Sequence, residues 1–133
     1  MAFVWPVRVY WEDTDAGGVV YYANYLKFLE RARSEWLRGL GFEQDELRER
    51  EGVVFVVRRV EIDYLAPARF NDALDVSVEP GATGRASLTV TQTIRRGPTR
   101  LAWANVKLAC VEAVSFKPVR IPTSILHAVG NAP

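Results

Sequence analysis

The chain has 133 residues, 49% apolar and 25% charged, with a formal net charge of +1. That length allows one domain over residues 1–133 with a real core and is too short for two ordinary ones, and the near-zero charge gives no bulk electrostatic case for nucleic acid or acidic membranes. Cys110 stands alone, excluding an internal disulfide and a multi-cysteine metal site, and no apolar run approaches the roughly 20 residues of a membrane span. The opening MAFVWPVRVYW lacks the basic start, long apolar core and small-residue cleavage site of a signal peptide, so a soluble cytoplasmic protein is expected.

Val4 to Trp11 is rich in valine and aromatics and reads as a strand, with Pro6 near its start or at an edge because it donates no ladder bond. The run Glu12 to Gly18 breaks the pattern as an acidic, glycine-ended turn. From about Val20 the period changes: Tyr22, Tyr25, Leu29, Ala32, Trp36 and Leu40 mark one apolar face of a helix of some 20 residues, about 30 Å long. Lys27, Glu30, Arg31, Arg33, Glu35 and Arg38 fall mostly elsewhere around it, and Gly39 and Gly41 supply the stop. A short solvated helix is expected over 43–51, where Glu and Arg alternate.

The remainder reads as β. Val53 to Tyr64 begins as a continuous apolar run and ends alternating, and Ala73 to Glu79 is a shorter strand. Pro80 to Gly84 connects a hairpin to Ser87–Arg96, where Leu88, Val90, Gln92 and Ile94 share one side. Gly97-Pro98 turns the chain into a dense apolar strand, Arg100 to Val114. The tail after Phe116 is expected to be irregular and loose at its end. One strand, one long helix and some four antiparallel strands predict an α+β domain, with a curled sheet around the helix. A single helix against a single sheet leaves sheet surface bare, which favours oligomers.

The chemistry narrows quickly. The sequence has no G-x-S-x-G and no P-loop glycine run. Its one histidine, His127, lies near the C-terminus, far from the glycine turn, so neither a triad nor a histidine metal site is favoured. Asp13-Thr14-Asp15 with Gly18 imitates the start of a calcium loop, but Gly17 and Asn24 stand where ligands belong. Asp13 and Asp15 can simply cap and shape the turn. Asp15, however, precedes the expected helix start by some five residues, which is early for an N-cap. Large apolar neighbours, Trp11, Val19, Val20, Tyr21 and Tyr22, would keep water from a carboxylate there. A carboxylate in the turn, with helix N–H groups and the positive dipole end aimed at the same spot, suits attack on a carbonyl whose oxygen needs donors.

The stretch RVYWEDTDAGGVVYYANYLKFLERARSEWLRGLG resembles the hotdog-fold acyl-CoA thioesterases of the hydroxybenzoyl-CoA thioesterase class, most closely the subgroup encoded with the Tol–Pal envelope system. The likeness continues through FVVRRVEIDYLAPARFND and KPVRIPTSIL and spans nearly the whole chain. It implies a hotdog fold, hydrolysis of acyl-CoA to free acid and CoA, and no separate cofactor, CoA being part of the substrate. It assigns the catalytic carboxylate to Asp15, a substrate contact to Gly18, and the polarising backbone N–H to Tyr22. Where the subgroup usually reads Tyr-His, this chain reads Tyr21-Tyr22. The amide role passes unchanged, since the hydroxybenzoyl-CoA enzymes also carry Tyr here. The duty of a histidine ring, such as positioning water, has no counterpart, and the subgroup's acyl preference does not transfer.

The resemblance also implies contacts to CoA from Arg85 at a strand start, from Lys117 and Arg120 in the tail, and from the extended run Phe55 to Arg59, including Val57, Arg58 and Arg59. Forked and paired donors suit phosphate, although each of these cations is also an ordinary surface charge. Family sites form between subunits, so a homo-oligomer, as a dimer or tetramer of hotdogs, is expected, with an acyl carrier protein as a possible further partner. Asp15 can attack to form a mixed anhydride or activate water, and the residues do not choose between these. A hotdog dehydratase would want a histidine near the helix start. A non-catalytic acyl-CoA or acyl-carrier-protein binding module would keep the pocket and dispense with the carboxylate, whereas a scaffold role beside the Tol–Pal proteins is compatible with the enzyme.

Overall fold

A computed structural model describes residues 2–130. In chain order the elements are β1 (Phe3–Arg8), α1 (Asn24–Gly39), α2 (Gln44–Glu51), β2 (Val53–Tyr64), β3 (Ala73–Thr83), β4 (Ser87–Arg96), β5 (Thr99–Glu112) and α3 (Thr123–Gly130). The strands form one antiparallel sheet in the order β1-β3-β4-β5-β2. The sheet packs its apolar face against α1, the α+β hotdog arrangement that the resemblance implies.

β1 stops at Arg8, short of Trp11, because Trp11–Asp13 winds into one 3-10 turn. The Asp13 carboxylate drives this by accepting the Tyr10 N–H at 2.8 Å. α1 begins at Asn24, four residues later than the periodicity suggests. Val19 and Val20 are β-branched and prefer extended backbone, and here they make bridges, Val19 to Arg69 and Val20 to Thr14. The helix therefore has 16 residues, about 24 Å at about 1.5 Å per residue.

Its buried face is Tyr25, Phe28, Leu29, Ala32, Arg33, Trp36 and Leu37. Tyr22 lies outside the helix and is exposed, and Leu40 is only half-buried, so these two expected face residues give way to Phe28 and Leu37. Complete burial of side chains such as Phe28 and Leu29 contributes about 1.5–3 kcal/mol each. Arg33, expected on the polar side, is 8% exposed and donates from Nη1 to Gln92 Oε1 at 3.0 Å. Gln92 passes its own N–H groups to the carbonyls of Leu29, at 3.1 Å, and Ser77, at 3.3 Å. Its position among Leu88, Val90 and Ile94 on the inner side of β4 follows the predicted alternation.

β3 continues through Pro80 and Gly81 to Thr83, with a register shift against β4, rather than ending at Glu79. The tail is not irregular throughout: Ile121, Ile125 and Val129, spaced by four, are buried as α3 forms after Pro122. The expectation of a loose end falls at 131–133, outside the described residues. No helix among the described residues is long and apolar enough to cross a membrane.

The two sheet edges differ. β1 carries Pro6, which cannot donate outward, whereas β2 offers a 12-residue edge without proline. Val57 is exposed on that strand, and a register shift between Val57 and Arg59 makes Arg58 the extra residue of a bulge.

Candidate active site

Asp13–Asp15 and Val19–Tyr21 run as a short antiparallel ribbon: Asp15 N–H donates to the Val19 carbonyl at 2.9 Å and Tyr21 N–H to the Asp13 carbonyl at 2.9 Å. Gly18 closes the turn with φ of +78°, a conformation that costs little only for glycine, and its N–H reaches the Asp15 carbonyl at 3.0 Å. Asp15 points out of this ribbon. Its side chain is exposed, and Oδ1 accepts the Gly17 N–H at 2.8 Å. Asp13 points inward, is 6% exposed, and holds the turn.

The ribbon is tied to the helix and to the loop after β2. Asn24 Nδ2 donates to the Asp13 carbonyl at 2.9 Å, and Val20 N–H donates to Ala68 at 2.8 Å. α1 has Ala23 at its N-cap and no side-chain cap. Among the described residues, no protein acceptor pairs with the N–H of Tyr22 or of Ala23. Such orphan donors at a helix start bear a partial positive charge and suit a developing oxyanion. The Tyr21 hydroxyl is held above its usual pKa, chiefly by Tyr22 and, last among the causes, by the charge of Asp15.

Tyrosines wall the helix entry. Tyr22 meets Tyr21 at 4.9 Å and stands edge-on to Tyr64 at 6.2 Å, and Tyr64 meets Tyr25 at 5.1 Å. The Tyr64 hydroxyl donates to the Tyr22 carbonyl at 2.9 Å. Burial raises the Tyr64 pKa further, with smaller help from Tyr25 and Tyr22, so it remains a donor at neutral pH. Sequence reasoning gave no role to Tyr64, Ala23 or Asn24; the one signal for Tyr64 was its place at the end of β2 just before Leu65-Ala66-Pro67. The apolar flanks do not enclose Asp15 within one chain: Trp11 is 72% exposed, stacked on Phe70, and Tyr22 is 62% exposed.

The expected CoA contacts form separate groups. Arg85, Lys117 and Arg120 lie on backbone segments that are hydrogen-bonded around the same end of β5. Arg85 lies in the bend between β3 and β4, not at a strand start, and its carbonyl accepts the Ile121 N–H at 3.0 Å. The carbonyl of Lys117 accepts the Glu112 N–H at 2.9 Å, and Val119 N–H donates to Cys110 at 3.0 Å, which folds the tail back on β5. All three cationic side chains are exposed.

This group is remote from Asp15 in the same chain. Tyr64, at the Asp15 end, pairs with Ala102, whereas Ala86 bonds to Cys110. Eight residues of β5 between those points span about 26 Å. Arg58 and Arg59 are exposed midway along β2, with Arg59 3.6 Å from Glu61. Val57 lines a groove of about 360 Å³ between α1 and β2, with Glu30, Arg33, Ser34 and Phe55 among its other walls.

Sheet and helix together define the hotdog architecture. Residues 17–102 match the sequence profile of the Thioesterase superfamily, and the chain belongs to that family. It is 46% identical over 126 residues to the acyl-CoA thioesterase YbgC of Haemophilus influenzae, covering 95% of this chain and 93% of that one. It is 48% identical over 125 residues to the acyl-CoA thioester hydrolase YbgC of Escherichia coli O6:H1, covering 93% of this chain and 92% of that protein. Among solved structures, a probable thioesterase from Bartonella henselae superimposes with a TM-score of 0.88 at 38% identity, covering 92% of this chain and 100% of the other. A 1,4-dihydroxy-2-naphthoyl-CoA thioesterase from Synechocystis shares the fold, with a TM-score of 0.90 at 23% identity over 100% of both chains.

Proposed function

We propose that this chain, acting as a single domain, hydrolyses acyl-CoA thioesters to a free acid and CoA, with Asp15 as the catalytic carboxylate and Tyr22 N–H as a donor to the thioester oxygen. The observation that carries the reading is an exposed carboxylate on a ribbon whose other strand runs into N–H groups without acceptors at a helix start. The near-full-length relatives that are acyl-CoA thioester hydrolases support the substrate class.

The carbonyl oxygen receives the Tyr22 N–H and the positive end of α1 while the carbon is attacked. In one route Asp15 Oδ2 bonds to that carbon, the C–S bond breaks, CoA leaves as thiolate, and water then opens the mixed anhydride. In the other, Asp15 takes a proton from water as the water oxygen attacks the carbonyl carbon, and the C–S bond then breaks to release CoA as thiolate. Thiolate is a good leaving group, so neither route needs a histidine acid.

The pairing edge is β2. Antiparallel addition of a second copy there sets the Val53 end of one β2 beside the Tyr64 end of the other, which carries the partner's basic group toward this chain's Asp15. The separation of the two groups along β5, about 26 Å of strand, and the proline-free edge both favour this arrangement. Arg85, Lys117 and Arg120 of one subunit then hold the nucleotide phosphates. The edge from Val57 to Arg59 meets the pantetheine arm, and Gly18 lets the backbone approach the thioester. The further reading is a cytoplasmic homotetramer of two such dimers, working beside the Tol–Pal system, with acyl carrier protein as an alternative acyl donor.

The test is thiol release from a panel of short, long and aromatic acyl-CoAs, with the mass in solution read by light scattering. Turnover of any of these supports the hydrolase. Absence of turnover, with acyl-CoA still bound, replaces it with a binding module, and a monomeric mass removes the shared site.

A further inference from the structure

We infer that Tyr64 is a positioning residue for this site: its hydroxyl holds the Tyr22–Ala23 peptide unit so that the Ala23 N–H joins the Tyr22 N–H of the preceding unit in a two-donor cradle for the substrate carbonyl. This rests on the hydrolase reading above.

The Tyr22 carbonyl sits where the helix would ordinarily use it. In a regular helix it would accept the N–H of Leu26, but Leu26 N–H donates instead to Ala23, at 3.2 Å, in a tighter turn. The phenol takes the place of the missing donor at 2.9 Å, and among the described residues it is the only donor to that carbonyl. Among the described residues this peptide unit makes no other hydrogen bond; its other end is the Ala23 N–H. Ala23 has no side chain able to cap the turn.

The phenol itself is well held. Tyr64 pairs with Ala102 through the last register position of β2, and the N–H groups of Leu65 and Ala66 both donate to the Leu101 carbonyl, at 2.8 and 3.2 Å. Its ring stands edge-on to Tyr25 at 5.1 Å, and Tyr25 is buried and accepts the Ala68 N–H on its hydroxyl at 3.0 Å. A rigid element, the sheet, is thus linked through one hydrogen bond to the donors at the helix entry. A bond to the carbonyl of an amide also polarises that amide, which strengthens the Ala23 N–H as a donor. The helix does not need this bond in order to fold, because Phe28, Leu29, Ala32 and Trp36 already anchor it.

Tyr64→Phe deletes the oxygen and keeps the ring. The experiment compares wild type with Tyr64→Phe in kcat, KM and Tm, using an acyl-CoA that the wild type hydrolyses. It also records the ¹³C shift of the carbonyl carbon in a bound analogue with CH2 in place of the thioester sulphur. The expected result is a fall in kcat of about tenfold, the scale of one aligned hydrogen bond, with KM within about twofold and Tm within a few degrees. The downfield shift of the bound ketone carbon shrinks in the variant. A wild-type kcat and an unchanged ketone shift overturn the inference. A fall in kcat that tracks a fall in Tm, with the ketone shift intact, overturns it in favour of a purely structural contact. A ketone carbon that keeps its free shift in the wild type overturns the cradle itself. If the wild type releases no thiol from any acyl-CoA, the hydrolase reading fails instead, and the ketone shift still decides whether Tyr64 sets the donors.

Discussion

Asp13 and Asp15 leave the same turn in opposite directions: Asp13 is buried and accepts the Tyr10 N–H at 2.8 Å, while Asp15 faces solvent and uses one oxygen for Gly17 N–H at 2.8 Å. The first carboxylate builds the turn, and the second keeps its other oxygen without a protein partner among the described residues. Asp13→Ala is therefore expected to lower stability by about 1–3 kcal/mol, because it strands a backbone donor. kcat per folded molecule should change far less than with Asp15→Ala. Urea midpoints, with activity measured in parallel, check this.

Gly18 holds φ of +78° with no heavy atom within 4 Å of a Cβ built there. Gly18→Ala meets strain and not a clash, so a loss of about 1–2 kcal/mol is expected, the ordinary cost of a left-handed non-glycine residue. A circular-dichroism melt reads it.

The buried Arg33–Gln92 pair makes a sharper case. Gln92→Leu removes the acceptor of a buried cation and the donor to two carbonyls, and is expected to cost about 2–3 kcal/mol or more. Arg33→Met in the same chain removes the stranded charge, so the double variant should recover a sizeable part of that loss. Additive losses in a denaturation cycle would contradict the coupling.

Asp72 contributes pH-dependent stability in the loop that packs on the site. Burial works against its charge, but the Arg69 N–H at 2.8 Å and the Arg96 guanidinium at 2.7 Å hold its pKa below the ordinary carboxylate value. A depressed folded-state pKa gives stability that is fully present above the unfolded value, about 3.9, and is lost as pH falls through the folded one. Asp72→Asn should thus be less stable than wild type at pH 7, and the gap should narrow toward pH 2–3. A gap that stays constant with pH would contradict this.

How far the sequence reaches depends on how local each cause is. β2 was legible to the residue, since alternation and β-branching act within the strand itself. The start of α1 was not: Val19 and Val20 are drawn into bridges with Arg69 and Thr14, and the partner Arg69 is distant in sequence. Arg33 looked like a surface cation because nothing local announces Gln92, 59 positions away, as its acceptor. α3 hid behind prolines, although Ile121, Ile125 and Val129 carry a helical spacing. At the site, the D-x-D turn and glycine pair exposed Asp15 as a candidate, whereas Tyr64 acts across 42 positions through one hydrogen bond. That link is tertiary and leaves no local mark.

The most direct measurement is thiol release by Asp15→Ala beside wild type, on the best acyl-CoA of the panel. The account predicts a fall of about 10³-fold or more in kcat, with the fold and CoA binding retained. An Asp15→Ala protein as active as wild type would contradict it.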